Sequence, residues 1–373
     1  MFEDIRPYRD NEVVDVLKKL ANEPELINAI ATFLVPKLTK RFPSLTRKIV
    51  QWSLKKKIKN WRTIDDIQLH VAKYLHKLVE NSTKGFSYDG VDNLDFNKPI
   101  LFISNHRDIV LDVALINWAL FKCNAKTVEA AVGDNLLHKT WVADLMRINK
   151  SFIVKRSEKT KREMLTASKT LSAYIHHSLT DNQQNIWIAQ REGRAKDGMD
   201  KTNAALISML LLNKDKAMPI SDYLAELNIV PVSISYEFDP CDHDKAIELA
   251  QKETNGDYKK TADEDLKSIT QGIVGQKGRI HIAFGDPIIG DFTDSKAIAA
   301  EIDRQIINNY KLYESNQSAY QVLHNEIPEN ELIPQLLERV KDLSEVQKRW
   351  LLTMYANPVF AKKSLTANDI DHV

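Results

Sequence analysis

The stretch Pro99-Ile-Leu-Phe-Ile-Ser-Asn-His106-Arg-Asp108-Ile-Val-Leu-Asp112 decides how this chain folds. Its apolar first half predicts a buried strand, which ends abruptly at an Asn-His pair followed by two carboxylates. A histidine at a strand end titrates near neutral pH, and a nearby carboxylate can hold its ring and stabilise its charged form. The segment therefore predicts a general base, His106, oriented by Asp112 or Asp108. The alternative is a histidine that only bonds a neighbour at the strand end.

Short apolar runs alternate with helical stretches from Gly85 onward. Strands that alternate with helices predict an α/β fold with a mixed, largely parallel sheet flanked by helices. Residues 239–265 are polar and charged, so we expect a surface excursion between two strands there. The predicted strands are residues 100–104, 127–132, 151–154, 186–189, 229–235 and 279–284.

Three regions follow from the pattern of the chain. Residues 1–84 predict short helices separated by Pro24, Pro36 and Pro43, since proline tends to begin or end a helix. Residues 85–301 form the predicted α/β domain, and residues 302–373 return to a helical pattern as a C-terminal extension.

The composition is that of an ordinary globular protein, with 43% apolar residues, 28% charged residues and a formal net charge of +1 over 373 residues. Cys123 and Cys241 lie far apart without a Cys-x-x-Cys pattern, so we expect unpaired thiols in a reducing compartment and no zinc site. The acidic N-terminus differs from a secretory signal, and no apolar run reaches the ~18 residues of a membrane span. We expect a cytoplasmic protein that does not span a membrane.

Two further strand ends carry cations. The strand at residues 151–154 leads to Arg156, whose guanidinium suits a phosphate ligand, although a solvated strand-end arginine is the common alternative. The strand at residues 186–189 leads to Gln190-Arg191-Glu192-Gly193-Arg194-Ala-Lys196. Three cations beside a glycine favour an anion site over a solvated turn, because glycine lets the backbone approach a ligand closely.

A fourth segment, Ile229-Val230-Pro231-Val232, fits an internal strand except for its proline. Proline is normally excluded from central strands because it has no N–H to donate. We therefore expect Pro231 at the start of a strand or at an edge that faces a pocket.

Ten basic residues and no acidic one lie from Lys37 to Arg62, interleaved with aromatic and aliphatic residues such as Phe42 and Trp52. This pattern predicts a helical surface that binds the headgroups of an anionic membrane. The alternative is a basic helix whose apolar side packs on the core. A nucleic-acid groove is not favoured, since no nucleic-acid motif accompanies the segment.

Taken in order, Asn-His…Asp, Phe-x-x-x-Arg, Glu-Gly-x and Val-Pro-Val resemble the glycerolipid acyltransferase family, which includes the glycerol-3-phosphate and lysophosphatidic acid acyltransferases. The resemblance covers roughly residues 88–288. Five residues separate His106 from Asp112 where the family has four, which leaves Asp112 and Asp108 both open as the orienting carboxylate. Arg194 follows Gly193 one position earlier than in the family. Three cations therefore compete as the phosphate ligand: Arg194, Arg191 and Lys196.

The resemblance implies acyl transfer in phospholipid synthesis, from acyl-CoA or an acyl-carrier protein to a hydroxyl of a glycerol phosphate-type acceptor. Lysophosphatidic acid, giving phosphatidic acid, is the first choice and glycerol 3-phosphate the second, with no metal and no cofactor. In this interpretation His106 is the general base, Arg156 and Arg194 hold the phosphate, and Glu192 anchors the turn or contacts acceptor hydroxyls. The implied location is peripheral, on the inner face of a membrane; oligomeric state stays open.

Two rival functions are weighed against this one. His106-Arg107-Asp108 matches the start of a kinase catalytic loop, but Val113 stands where a kinase needs asparagine. The other rival is a catalytically inactive or differently specialised membrane-surface binding protein on the same fold. The presence of His106, Arg156 and Arg194 favours the enzyme.

Overall fold

The computed structural model of the protein describes residues 2–137, 139–261 and 264–370. Six strands lie within one or two residues of their predicted positions, and a further short strand, Gly85–Asp89, was not predicted. Its alternation of half-buried aromatic and exposed polar residues is too short to stand out from a loop. The strands are β1 (Gly85–Asp89), β2 (Leu101–Ser104), β3 (Val128–Gly133), β4 (Ser151–Val154), β5 (Asn185–Ala189), β6 (Ile229–Tyr236) and β7 (Arg279–Phe284).

Helices occupy both ends of the chain and the segments between the strands, as predicted. Several begin at a proline, which suits the first helical turn because that turn needs no N–H donor there. The helices are α1 (Asp10–Leu20), α2 (Pro24–Leu34), α3 (Pro36–Arg41), α4 (Pro43–Ile58), α5 (Ile64–Ser82), α6 (Leu111–Lys122), α7 (Thr140–Ile148), α8 (Lys161–Thr180), α9 (Ala204–Leu210), α10 (Ile220–Leu227), α11 (Asp242–Asn255), α12 (Glu264–Val274), α13 (Ser295–Asn309), α14 (Glu314–Leu323), α15 (Pro334–Val340) and α16 (Glu345–Ile370).

Packing divides the chain into two compact units. The smaller unit comprises Met1–Lys73 and Val128–Tyr174, and the larger comprises Tyr74–Thr127 and Ile175–Val373. The units follow packing rather than chain order, so they cut across the boundaries 1–84, 85–301 and 302–373, which stay a prediction about domains.

The smaller unit contains the parallel pair β3 and β4, in which Ala130 lies opposite Ser151. Its apolar core brings together α1, α2, α5 and α7, while α2, α3 and α4 contact one another. The buried members of this core are Val13, Leu17, Leu20, Leu26, Ile67 and Ile148. In the part of the chain that the structure describes, no helix is long and apolar enough to cross a bilayer.

The larger unit contains five strands in the order β1-β7-β6-β2-β5. Strand β2 runs parallel to both β5 and β6, β1 runs parallel to β7, and the β6–β7 pair alone among these is antiparallel. All residues of β2 and β6 are buried, as expected for central strands of a sheet covered by helices. These strands and their helices confirm the predicted α/β class with a largely parallel sheet.

Pro231 lies inside β6 rather than at an edge, so that part of the prediction is wrong. It is the third residue of the strand, is buried, and lies opposite Ile103 of β2. Its carbonyl accepts a hydrogen bond, at 2.8 Å, from the N–H of Gly285, the first residue after β7. The pairing of β6 with β7 begins only at Val232, so the N–H that Pro231 lacks falls beyond the paired part of these two strands.

The charged stretch at 239–265 is the predicted surface excursion only in its second half: residues 251–261 are mostly exposed, whereas most of residues 239–250 are buried. Its described part includes α11, whose residues Asp242 and Lys245 are buried, as is Asp239 before it. Lys245 forms an ion pair with Asp239, and Arg339 of α15 forms one with Asp242. Buried charges of this kind are found in pairs because an unpaired one costs several kcal/mol in lost solvation.

Candidate active site

The site begins where β2 ends, at Asn105. Its side-chain oxygen accepts from the N–H of Ile234 at 2.8 Å, and its side-chain nitrogen donates to the carbonyl of Ile234 at 3.0 Å. The buried carboxamide thus continues the β2–β6 ladder for one step while the main chain leaves the sheet. Ligand sites in parallel α/β sheets lie beyond the carboxyl ends of the strands, and His106 occupies that place.

His106 and Asp112 form the central pair of the site. The Nδ1 atom of His106 lies 2.8 Å from Oδ2 of Asp112, whose side chain is 0% exposed, whereas that of His106 is 15% exposed. A carboxylate accepts, so the ring nitrogen facing it carries the proton, which leaves Nε2 as the basic nitrogen. The edge of the ring meets Trp187 of β5, with 5.9 Å between the ring centroids.

Asp112 collects further donors besides the imidazole. Its Oδ2 accepts from the backbone N–H groups of Arg107, at 2.6 Å, and Asp108, at 2.9 Å. Its Oδ1 accepts from the hydroxyl of Tyr236, the last residue of β6, at 3.0 Å. Hydrogen bonds to a charged group are about twice as strong as neutral ones, so these donors replace the water that burial removes from the carboxylate.

Asp108 accepts hydrogen bonds from different groups than Asp112 does. Its Oδ1 accepts from the backbone N–H groups of Val110 and Leu111, at 2.9 and 2.8 Å, at the beginning of α6. Burial, and then the neighbouring charge of Asp112, raise the pKa of Asp108. Helix α12 passes so close that a Cβ on Gly272 would lie 2.2 Å from Oδ2 of Asp108. Of the two carboxylates left open by the sequence, Asp112 contacts the imidazole and Asp108 binds two backbone N–H groups where α6 begins.

The turn after β5 is tied directly to the loop that carries the base. The backbone N–H of Ala195 donates to the carbonyl of His106 at 2.8 Å. Within the turn, Gly193 has a φ of 74°, a left-handed conformation that favours glycine, and open space where a side chain would stand. Glu192 is exposed. The predicted anion turn and the predicted base therefore lie side by side in the larger unit.

The three competing cations of this turn differ in what they bind. Lys196 forms an ion pair with Glu248 of α11. In Arg194, Nη2 lies 3.4 Å from the hydroxyl of Ser268, while Nη1 is buried with no partner among the described residues. Arg191 is half-buried. Burial raises the pKa of Asp200, and the nearby charge of Arg191 acts in the opposite direction. Arg194 thus has a buried N–H donor without a hydrogen-bond partner in the described part of the chain, whereas Lys196 already forms an ion pair.

Arg156 belongs to the smaller unit, whereas the other predicted site residues belong to the larger unit. It follows β4, and its backbone N–H donates to Oδ1 of Asp134, which follows β3, at 3.1 Å. The same carboxylate accepts from the hydroxyl of Ser157 at 2.6 Å. The ends of β3 and β4 are thereby held together around Arg156, whose guanidinium lies beside Gly133.

Sequence reasoning missed several residues of the site. Arg107 pairs with Asp200 at 2.6 Å, both buried, and Asp200 also accepts from Asn105 at 3.0 Å. Arg107 is next to the predicted base, but in the sequence it contributes only to the match with a kinase catalytic loop. Tyr236 stood five positions after Pro231, where the alternation of β6 could have shown that the strand continues to the site. Asp200 lies in a loop, and no local pattern indicates its partner.

Residues 85–235, which contain the His–Asp pair and the anion turn, match the family model described as Acyltransferase. The match lies within the part of the chain whose motifs resemble the glycerolipid acyltransferases, and it confirms that resemblance.

One solved structure to which the chain is similar is the 1-acyl-sn-glycerophosphate (LPA) acyltransferase PlsC from Thermotoga maritima, with 11% identity and a TM-score of 0.39. The similarity covers 77% of this chain and 97% of that one. No curated protein matches the sequence significantly.

The different bonds of the two carboxylates predict different effects of the same substitution. Asp112→Asn is expected to lower turnover about 10²–10⁴-fold, because the neutral amide no longer stabilises a charged imidazole. Asp108→Asn is the matched control: the amide oxygen of asparagine can accept the same two backbone N–H bonds, so turnover should change less than about tenfold. Steady-state acyl-transfer kinetics of both purified variants measure this. Equal losses in the two variants would contradict the assignment of Asp112.

Proposed function

We propose that this protein moves a fatty acyl group from an acyl thioester to a hydroxyl of a glycerol phosphate-type acceptor. Lysophosphatidic acid is the first-choice acceptor and glycerol 3-phosphate the second. The observation that carries the proposal is the His106–Asp112 pair, at 2.8 Å, within the segment that matches the acyltransferase family. The turn after β5, which is bonded to the main chain of His106, carries the half-buried Arg191 and Arg194. These two cations support an acceptor that bears a phosphate.

In the proposed reaction His106 acts as a general base. Its Nε2 takes the proton of the acceptor hydroxyl while that oxygen forms a bond to the thioester carbonyl carbon. The tetrahedral intermediate then expels the thiolate, which receives the proton from the imidazolium. One ester bond forms, one thioester bond breaks, and a free thiol leaves. Asp112 stabilises the imidazolium between the two proton transfers.

The phosphate of the acceptor is proposed to bind Arg194 first. The unpartnered Nη1 of Arg194 is a buried donor that a phosphate oxygen would satisfy, and guanidinium groups bind phosphate oxygens with two parallel hydrogen bonds. Arg191, half-buried in the same turn, is the second candidate, and a role for Arg156 stays a prediction from the sequence. A phosphate fixed by these groups holds the acceptor hydroxyl near the base, which supplies a large part of the rate enhancement.

The direct test of the function is an acyl-transfer assay with purified protein. Labelled acyl-coenzyme A and acyl-carrier protein are each offered with a panel of lysophosphatidic acid, glycerol 3-phosphate and lysolipids without a terminal phosphate. We expect ester formation with a phosphate monoester acceptor, lowered about 10²–10⁴-fold in His106→Ala, as for loss of a general base. Equal activity of the folded His106→Ala variant would refute the base. Ester formation only with uncharged acceptors would refute the acceptor class.

The role of Arg194 predicts a selective loss of acceptor binding. Arg194→Ala should raise the KM for the phosphorylated acceptor about tenfold or more, since a hydrogen bond to a charged group contributes roughly 1.5–3 kcal/mol. The KM for the acyl thioester should stay nearly unchanged. Lys196→Ala is the control from the same turn, because its ammonium already binds Glu248 and its loss should affect stability instead. A similar rise in both KM values would contradict phosphate binding by Arg194.

A lipid acceptor requires a membrane surface, and we propose that α3 and α4 provide the contact. Five apolar side chains, spaced three or four residues apart, are each about half exposed or more: Leu38, Phe42, Leu45, Ile49 and Trp52. Trp52 is 65% exposed, and the ammonium of Lys56 lies 5.2 Å from the centre of its ring. Apolar side chains flanked by cations suit the interface of an anionic bilayer.

Liposome flotation tests this surface. The protein should float with vesicles that contain acidic lipid and bind less well to neutral vesicles or at high salt. The double variant Ile49→Ser/Trp52→Ser should bind at least about tenfold more weakly, because each side chain contributes roughly 1.5–3 kcal/mol when it is buried in an apolar phase. The control variant, Ile289→Ser/Phe360→Ser, removes exposed apolar residues elsewhere. Equal binding of the two variants would contradict the proposal.

A further inference from the structure

Tyr236 is a buried tyrosine whose hydroxyl faces the carboxylate that holds the base. It is the last residue of β6 and is 4% exposed. Its hydroxyl lies 3.0 Å from Oδ1 of Asp112, and the imidazole of His106 binds the other oxygen of that carboxylate. The three groups form an uninterrupted chain of hydrogen bonds from the sheet to the base.

We infer that Tyr236 is a positioning residue for acyl transfer: by donating to Oδ1 of Asp112 it fixes the plane of the carboxylate and so the ring of His106. The inference rests on the proposed function for its kinetic effect, although its effect on the ring itself does not. Tyr236 touches no reacting atom, so it acts only through Asp112.

Because Tyr236 belongs to β6, its hydrogen bond sets the orientation of the Asp112 carboxylate relative to the sheet. The two backbone donors to Asp112, from Arg107 and Asp108, belong to the same short loop as the base and move with it. Tyr236 is the donor that comes from a strand paired on both sides. A carboxylate bound only by the loop could rotate together with it, whereas a bond to β6 sets its orientation relative to the sheet.

The direction of the hydrogen bond is fixed by the surroundings. Burial, and then the carboxylates of Asp112 and Asp108, raise the pKa of Tyr236 well above its usual value, so the phenol keeps its proton and donates it. The carboxylate therefore shares its negative charge with Tyr236 on one oxygen and with the imidazole on the other. The charged and titratable groups around the Tyr236–Asp112 pair are His106, Arg107, Asp108 and Asp239.

Removing the hydroxyl should change how the imidazole titrates. In Tyr236→Phe the carboxylate loses one donor, so more of its negative charge faces the imidazole and favours the imidazolium. The titration midpoint of the His106 ring, followed by NMR and assigned by its loss in His106→Ala, should move to higher pH. The acid limb of the pH–rate profile should move the same way. The kcat should fall about three- to tenfold, with both KM values nearly unchanged.

Two further measurements separate positioning from a structural role. Tyr355→Phe removes another buried hydroxyl that donates to a carboxylate, at 2.8 Å from Asp242, and should lower stability without moving the His106 titration. Replacing Tyr236 by 3-fluorotyrosine keeps the packing but strengthens the donor, so the midpoint should move to lower pH. An unchanged midpoint in both Tyr236 variants would overturn the inference. Since the NMR readout needs no substrate, failure of the proposed acyl transfer would be seen separately, in the assay.

Discussion

A single buried carboxylate, that of Asp112, connects the parts on which this site depends. It binds the imidazole of His106 through Nδ1, two backbone N–H groups of the loop after β2, and a hydroxyl from the end of β6. Without these donors, complete burial would strongly disfavour its charge. The same bonds that allow the charge to be buried also close the loop and orient the imidazole. Stability and chemical competence of the loop therefore come from one set of contacts.

The interior of the larger unit carries an unusual amount of paired charge around this carboxylate. Arg107 binds Asp200, and Lys245 binds both Asp239 and, at 2.8 Å, the carbonyl of Arg107. Such pairs add little net stability compared with apolar residues, but breaking one leaves an uncompensated buried charge. They permit few alternative arrangements of the base loop. Helix α11 lies in a stretch whose composition predicts a surface excursion, yet its Lys245 binds the loop that carries His106.

Much of the fold could be predicted because its signals are local. Six strands appear as apolar runs, and the helices appear by spacing and by proline at their first turn. The predictions failed where the outcome depends on distant partners. The buried charges at 239–265 find counter-ions on other elements, and the N–H that Pro231 lacks falls where β7 has ended. Likewise, the choice between Asp108 and Asp112 depends on how the loop closes, which residue spacing does not reveal.

The anchoring of this loop at both ends has a consequence for how far its length can vary. Asn105 fixes the entry to the sheet by taking over a backbone position of the β2–β6 ladder, and Tyr236 fixes the exit through Asp112. The five residues between His106 and Asp112 bridge two points that the sheet already holds. Because both ends are held, a change in the length of this loop must be absorbed by the residues between them.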